Sequence, residues 1–421
     1  MRSCYDLLDA RSRRGYRSRT GRRSLGSGEP VKNERLNFRA VLLAVSVATV
    51  GVLPGFLTGG LAVQIRGELG FGQGALGFAV AVFFAASALG SVVFGRVVER
   101  VGSSLGMRLA VVVSAASLLA VCVLAGSWWG LVACLVLGGF GNAISHPATH
   151  LLLAREVPQG RQGLAFGIKQ AAIPAATLLA GLAVPTLAVT VGWRWAFAGG
   201  AALALCVALL VPKRVEEGTR RVKAARAGDV PLAPLVLLAF GIGLGSAAAN
   251  PLGAFVVESA VADGVEVGAA GLLLALGSAA GIGVRVVFGH LADKLNSGRL
   301  RLVAGMLVVG TVGFILLASG AASLLVVGVV LAFTAGWGWP GLFNFAIVRS
   351  NPRAPAAATG ITQTGASGGA AAGPLAFGYV VEATSFSTAW ICSGIIALVA
   401  AAAILIGRNM LLRDRAMKRK S

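Results

Sequence analysis

Five polar residues stand close together in the sequence inside otherwise apolar stretches. Asn142, His146 and His150 are spaced four residues apart, so a helix would place them on one face. Lys169 and Gln170 follow in the next apolar stretch. A charge inside an apolar stretch long enough to cross a membrane is a candidate for function, because its burial is expensive. If Lys169 faces a cavity, it favours an anionic substrate or a substrate carboxylate.

Other roles are open for the same side chains. Lys169 is long enough to reach the membrane interface with its ammonium group. His146 can carry a proton, contact a substrate or simply form hydrogen bonds beside a kink at Pro147. His146 and His150 also have the spacing of half a metal site. The chain has only three histidines, and we expect neither a metal nor another cofactor.

The elements that must position these residues are membrane-spanning helices. The chain has 421 residues, of which 56% are hydrophobic and only 13% charged, and its mean hydropathy is +0.82. Soluble domains carry about 25% charged residues. Apolar runs of roughly 20 residues are long enough to cross a bilayer as helices. We predict an all-α membrane protein with twelve spans: 38–63, 74–95, 106–126, 128–153, 163–188, 193–212, 232–258, 266–290, 301–320, 322–347, 357–382 and 386–407.

Short sequences recur between the two parts of the chain at a nearly constant offset. Val92-Val93-Phe94-Gly95 returns as Val286-Val287-Phe288-Gly289, and Gly167-Ile168-Lys169-Gln170 returns as Gly360-Ile361-Thr362-Gln363. Two further matches occur in the same order. The repeat predicts two pseudo-symmetric halves of six helices, and such halves usually rock against each other around a pathway. The predicted parts are a disordered basic tail at 1–37, halves at 38–212 and 232–407, a linker at 213–231 and a basic tail at 408–421.

The net charge of +21 first points to nucleic acid, but the positions of the charges argue against it. Of the 37 Lys and Arg residues, 33 fall in the tails and in the loops on one side of the predicted membrane. Cytoplasmic loops carry this excess of basic residues, so both termini are predicted to be cytoplasmic. The partners we expect are a lipid bilayer and a small molecule, with no nucleic acid, and the protein is expected to be a monomer.

Two loops carry related motifs. Predicted span 2 ends in Gly95-Arg96-Val97-Val98-Glu99-Arg100-Val101-Gly102, and span 8 ends in Gly289-His290-Leu291-Ala292-Asp293-Lys294. Both resemble the G-x-x-x-D-R/K-x-G signature of the major facilitator superfamily, although Glu99 replaces the usual Asp. The resemblance implies the twelve-helix fold of that family and a charge network that latches the cytoplasmic side. The implied latch residues are Gly95, Glu99, Arg100, Arg155, Gly289, Asp293, Lys294 and Arg349; ordinary solvated loop charges are the alternative.

In this family the substrate lies near the membrane midplane between the halves. Polar and aromatic residues inside the predicted spans are therefore the candidates for substrate contact. Gln170 and Gln363 occupy equivalent positions in the two halves, and they can equally well bond across helices. The candidate substrate-binding residues are Lys169, Gln170, His146, Asn142, Asn250, Gln363 and Trp337.

The sequence favours a secondary active transporter over an enzyme, because it shows no nucleophile–base constellation and no phosphate-binding loop for ATP. No Asp or Glu lies in the middle of a span to carry a coupling proton. Proton coupling would therefore depend on His146 or Lys169, and uncoupled facilitation is the alternative. Multidrug efflux by proton antiport is the alternative function. Gly369-x-x-x-Gly373-Pro374 resembles the antiporter motif but lies in span 11 rather than span 5. Arg outnumbers Lys 30 to 7, which favours a GC-rich bacterium and its cytoplasmic membrane.

Overall fold

The computed structural model of the chain describes residues 37–158, 161–212, 231–294, 298–351 and 354–418. Within these ranges the structure is almost entirely helical and contains no strand, as predicted. Residues 1–36 of the predicted tail and 213–230 of the linker lie outside the described residues. The helices are α1 Phe38–Gly60, α2 Ala62–Leu69, α3 Gln73–Leu124, α4 Trp128–Glu156, α5 Gln162–Lys169, α6 Ala172–Ala183, α7 Trp193–Leu210, α8 Leu232–Ala262, α9 Val267–Lys294, α10 Arg299–Ala318, α11 Ala322–Leu331, α12 Pro340–Ser350, α13 Pro355–Ala383 and α14 Phe386–Lys418.

Among the described residues, eleven helical stretches are long and apolar enough to cross a membrane. The predicted span at 357–382 is also a helix, α13, and its 29 residues are long enough to cross. Its many Gly, Ala and Thr residues make it less apolar than the others. Two further helices differ from the predicted spans. α14 runs on to Lys418, beyond the expected end at 407, and α3 contains predicted spans 2 and 3 together.

The break inside α3 lies at Gly102. Its φ of +85° and ψ of 166° are outside helical geometry and in a region that favours glycine. Across this turn, a Cβ built on Gly106 would lie 3.1 Å from the side chain of Val98, so the two arms of α3 pack closely. The final glycine of the predicted signature motif therefore reverses the chain between two spans.

Small residues bring α8 and α13 into backbone contact. Gly365, Gly369 and Gly373 are four residues apart on α13, and a Cβ at any of them would overlap backbone atoms of α8. The facing residues on α8 are Ala239, Gly243 and Ala247, which have the same spacing. Spacing of this kind lets two membrane helices approach closely. The glycines of the antiporter-like motif are thus helix-packing residues in this structure.

Alanine substitutions at two neighbouring glycines of α13 distinguish the effect on helix packing from the effect on helix propensity. We expect Gly369→Ala to lower the thermal stability of the purified protein by roughly 1–3 kcal/mol, because the methyl group must displace the α8 backbone at Gly243. The control is Gly368→Ala, one residue away, where a Cβ meets no atom within 4 Å. This variant should be neutral or slightly stabilising. Equal loss of melting temperature in the two variants would contradict the packing role.

The two six-helix halves touch at several depths. We call inner the side on which α1 begins and α14 ends, and outer the opposite side. Thr177 of α6 and Ser278 of α9 form a buried hydrogen bond of 2.7 Å between the halves. Nearer the inner end, a Cβ on Gly167 would lie 3.1 Å from the Cα of Gly289, so α5 and α9 meet there through glycines.

Candidate substrate site

The candidate cation Lys169 lies at a break between two helices. α5 ends at Lys169, and Gln170 and Ala171 form a turn before α6 begins. Pro174 explains the break, because proline lacks the N–H that would bond to the carbonyl of residue 170 in a continuous helix. At about 1.5 Å per residue, Lys169 lies about 11 Å from the start of α5. The break thus places the Lys169 amino group and a carbonyl without an intrahelical partner within the inner half of the membrane.

Lys169 and two histidines of α4 form a cluster, which we call the Lys–His cluster. The Nζ atom of Lys169 lies 3.1 Å from Nδ1 of His146 and 3.2 Å from Nε2 of His150. Lys169 is only 2% exposed. A neutral imidazole has one ring nitrogen that accepts hydrogen bonds, whereas an ammonium group only donates. When Lys169 carries its proton and both imidazoles are neutral, both rings accept from Lys169, and these contacts use two of its three hydrogens.

The cluster in this arrangement holds one positive charge. A proton added to either facing ring nitrogen would remove the lone pair that accepts from Lys169. It would also place two like charges about 3 Å apart, which costs about 5 kcal/mol at an effective dielectric constant of about 20. An anion in contact with the remaining ammonium hydrogen would offset this repulsion. The cluster is therefore suited to binding an anion.

A second buried cation lies on α9, in the other half. Arg285 is 3% exposed, and its guanidinium donates to the carbonyl of Gln170 at 2.5 Å and to that of Trp337 at 2.6 Å. Both carbonyls stand at helix breaks, since Trp337 lies between α11 and α12. The Nε atom of Arg285 is buried without a hydrogen-bond partner. Arg285 therefore joins the halves beside the Lys–His cluster.

Neither buried cation has a carboxylate partner among the described residues. The ion pairs found there involve Arg66 and Arg194. Buried charges in proteins are normally paired, because removing a charge from water is costly. Lys169 and Arg285 thus leave an excess of positive charge at this depth of the membrane, one from each half.

Aromatic side chains lie against this region. The guanidinium of Arg285 is 5.8 Å from the ring centre of Trp337. The Trp337 ring is in edge contact with Phe56 of α1 at 5.7 Å and with Phe333 at 5.6 Å. Trp337 was a candidate for substrate contact, and it is 3% exposed in this structure. Its ring links α1 of one half to the segment that precedes α12 in the other.

Three other predicted substrate residues lie apart from the cluster's hydrogen bonds. The amide of Asn142 donates to the hydroxyl of Ser87 at 2.9 Å. The amide of Asn250 donates to the carbonyl of Ser246 on its own helix at 2.8 Å. Gln363 is exposed on α13. The role of all three in substrate binding stays a prediction, since the buried amides of Asn142 and Asn250 also fit a role in helix packing.

The predicted cytoplasmic latch is not assembled among the residues described. Glu99, Arg100 and Arg155 are exposed, and no ion pair joins them. Arg349 lies over the ring of Phe345 at 5.4 Å. The side chains of Asp293 and Lys294 lie outside the part of the chain that the structure describes. A Cβ on Gly95 would meet no atom within 4 Å, so Gly95 makes no close packing contact, whereas Gly289 approaches Gly167. The latch itself stays a prediction.

The outer end carries a charged contact between the halves that sequence reasoning missed. Arg66 of α2 donates to the carboxylate of Glu258 on α8 at 2.5 Å, and Gln73 of α3 donates to the same oxygen. Glu258 is 5% exposed. Beside it, Glu382 of α13 accepts from the backbone N–H of Gly74 at 2.6 Å. We call Arg66, Gln73 and Glu258 the outer lock.

A second ion pair at the outer end lies within one half. Arg194 donates to Glu68 at 2.6 Å, and the indole of Trp193 donates to the other carboxylate oxygen. These bonds, that of Arg194 first, lower the pKa of Glu68 below its ordinary value. Glu68 is nearly half exposed, so the pair contributes little to stability.

Two helical halves that meet around unpaired buried cations, in a chain with many membrane spans, define a membrane transporter that works by alternating access. The sequence profile described as Major Facilitator Superfamily matches residues 42–323 and again residues 235–420. The chain belongs to the Major Facilitator Superfamily.

No group of three metal-binding side chains is found among the described residues.

One solved structure shares the fold over nearly the whole chain. It is the crystal structure of a bacterial homologue of the human lysosomal transporter Spinster, in an inward-facing and unoccupied conformation. The TM-score is 0.66 and the sequence identity 15%, and the match covers 92% of this chain and 99% of the other. At this identity the likeness shows the fold alone. A comparison with curated proteins finds no significant match.

Proposed function

We propose that this transporter carries a small anionic or carboxylate-bearing solute, with Lys169 as the anion-binding residue. The observation that supports this most is the Lys–His cluster, in which the buried amino group of Lys169 lies within hydrogen-bonding distance of two imidazole nitrogens and has no carboxylate partner among the described residues. A substrate carboxylate or oxyanion is the partner that would complete it. A lipophilic cation would be repelled by Lys169 and Arg285.

The proposal includes the setting in which transport takes place. The halves, taken as residues 38–212 and 232–407, rock about the contacts of α5 and α6 with α9, in the cytoplasmic membrane of a bacterium. Both termini lie in the cytoplasm, as the distribution of basic residues supports. The unit is a monomer, because each chain contains both halves.

Ligand-induced stabilisation tests the substrate class directly. The detergent-purified protein is heated with acetate, lactate, benzoate, nitrate and inorganic phosphate, and separately with tetraphenylphosphonium and ethidium as lipophilic cations. A ligand that binds the folded state raises the melting temperature by mass action. We expect stabilisation by at least one anion and none by the cations. Stabilisation by the cations alone would overturn the proposal and favour multidrug efflux.

A further inference from the structure

We propose that the Lys–His cluster takes up one proton with each substrate monoanion, so that the pair crosses the membrane without net charge. This inference rests on the proposed function and adds the coupling ion, its binding residues and its stoichiometry. It follows from the geometry of the cluster, in which one ring nitrogen of His146 and one of His150 both lie within hydrogen-bonding distance of Nζ of Lys169.

An empty cluster resists a second proton. Protonating a facing ring nitrogen removes its hydrogen bond from Lys169 and brings two positive charges within about 3 Å of each other. A bound anion changes both effects, since it attracts the second charge and accepts hydrogen bonds from the ammonium and from the new imidazolium. The anion and the proton therefore each strengthen the binding of the other, and linkage makes this effect reciprocal.

Among the described residues around the cluster, no buried acid lies in position to serve as the proton carrier instead. α3, which packs on α4, carries Arg96, Glu99, Arg100 and Arg108 near its inner turn, and Glu99 is exposed. α1 packs on α4 and α5 and has no ionisable side chain between Val41 and Gly60. α9 brings the cation Arg285 to the carbonyl of Gln170. α12, which also contacts α5, carries Arg349 near its inner end. α4 itself bears Arg155 and Glu156 at its inner end, both exposed, and Glu156 accepts from Asn37.

Loading leaves the net charge of the cluster unchanged. The empty cluster carries one positive charge, on Lys169. Loading adds one proton, which forms an N–H bond on His146 or His150, and one anion, which lies against that N–H and the ammonium group. The loaded cluster again carries one net positive charge. Both forms therefore move through the membrane field with the same charge, and only the neutral pair is transported.

Titration calorimetry measures the linked proton in the unaltered protein. The anion of the panel that stabilises the protein most is titrated at pH 7 in two buffers that differ in ionisation enthalpy. We expect uptake of about one proton per anion bound. By linkage, the affinity should then fall about tenfold per pH unit as the pH rises. After reconstitution, a pH gradient should drive uptake, and a potassium–valinomycin potential should leave the final level of accumulation unchanged.

The double variant His146→Gln/His150→Gln assigns the proton to the cluster. Glutamine retains a hydrogen-bond acceptor for Lys169 but takes up no proton. We expect this variant to bind the anion with an affinity that does not depend on pH, and without proton uptake. Single variants serve if the double variant does not fold. The control is His290→Gln, since His290 is exposed near the inner end of α9 and should keep the native pH dependence.

The possible results separate the two proposals. If no anion of the panel binds, the proposed function fails and this inference fails with it. If an anion binds without proton uptake, or if the double variant keeps the native pH dependence, only this inference fails. Because the calorimetric measurement uses the native protein, it can overturn the inference even if every variant misfolds.

Discussion

Replacing Lys169 with methionine should lower the affinity for the substrate anion by about a hundredfold or more. The substitution keeps most of the length of the side chain and removes its charge, so the anion loses its charged partner inside the membrane. Breaking a buried ion pair costs roughly 3–5 kcal/mol, and each 1.4 kcal/mol is about a tenfold change in affinity. Ligand-induced stabilisation and uptake by proteoliposomes both measure the loss, and Lys169→Ala should show the same loss.

The stability of the empty protein distinguishes a functional lysine from a structural one. Lys169 is 2% exposed and has no carboxylate partner, so its burial costs free energy when no anion is bound. We therefore expect Lys169→Met to leave the melting temperature of the empty protein unchanged or to raise it. The control is Thr362→Ala at the equivalent position of the other half, also fully buried, which should change anion affinity by only a few-fold. Native anion affinity in Lys169→Met would contradict the assignment, and so would a large fall in its melting temperature.

Much of this site could be predicted from local sequence rules. The spacing of His146 and His150 places both rings on one face of α4, and the structure brings that face to Lys169. The charge was conspicuous because the surrounding stretch is apolar. The same rules did not indicate how close His150 lies to Lys169, because that distance depends on how α4 and α5 pack.

Other features depend on contacts between distant parts of the chain. A break near Pro174 follows from local chemistry, because proline lacks the N–H that a continuous helix needs. The hydrogen bond from Arg285 to the Gln170 carbonyl, however, requires α9 of the other half. The glycines near Pro374 resembled a functional motif, and only the facing residues of α8 reveal that they pack two helices. The outer lock joins Arg66 and Glu258, which are 192 positions apart at helix ends, so no local pattern indicated this contact.

The outer lock gives the second large expected effect, because alternating access requires the outer ends of the two halves to separate. In Glu258→Gln the shape of the side chain is kept, but Arg66 and Gln73 lose their charged acceptor. Hydrogen bonds to charged groups contribute about 1.5–3 kcal/mol, so the equilibrium should shift roughly ten- to hundredfold towards the outward-open state. Spin labels are attached at Gly126→Cys and Ala322→Cys in a cysteine-free background, since both positions are exposed at the outer end of their halves. Double electron–electron resonance should report a longer distance between the labels in Glu258→Gln.

The matched control is Glu68→Gln, which removes the other ion pair of the outer end. Glu68 and Arg194 lie in the same half, so this pair does not need to break when the halves separate. We expect the label distances of Glu68→Gln to equal those of the parent protein. An equal shift in the two variants would mean that loss of surface charge opens the outer end in general. An unchanged distance in Glu258→Gln would mean that the backbone contacts of Gly59 with Ala254 hold the outer end closed without the lock. A shift confined to Glu258→Gln would identify this carboxylate as the group whose bonds must break before a substrate can enter from the outer side.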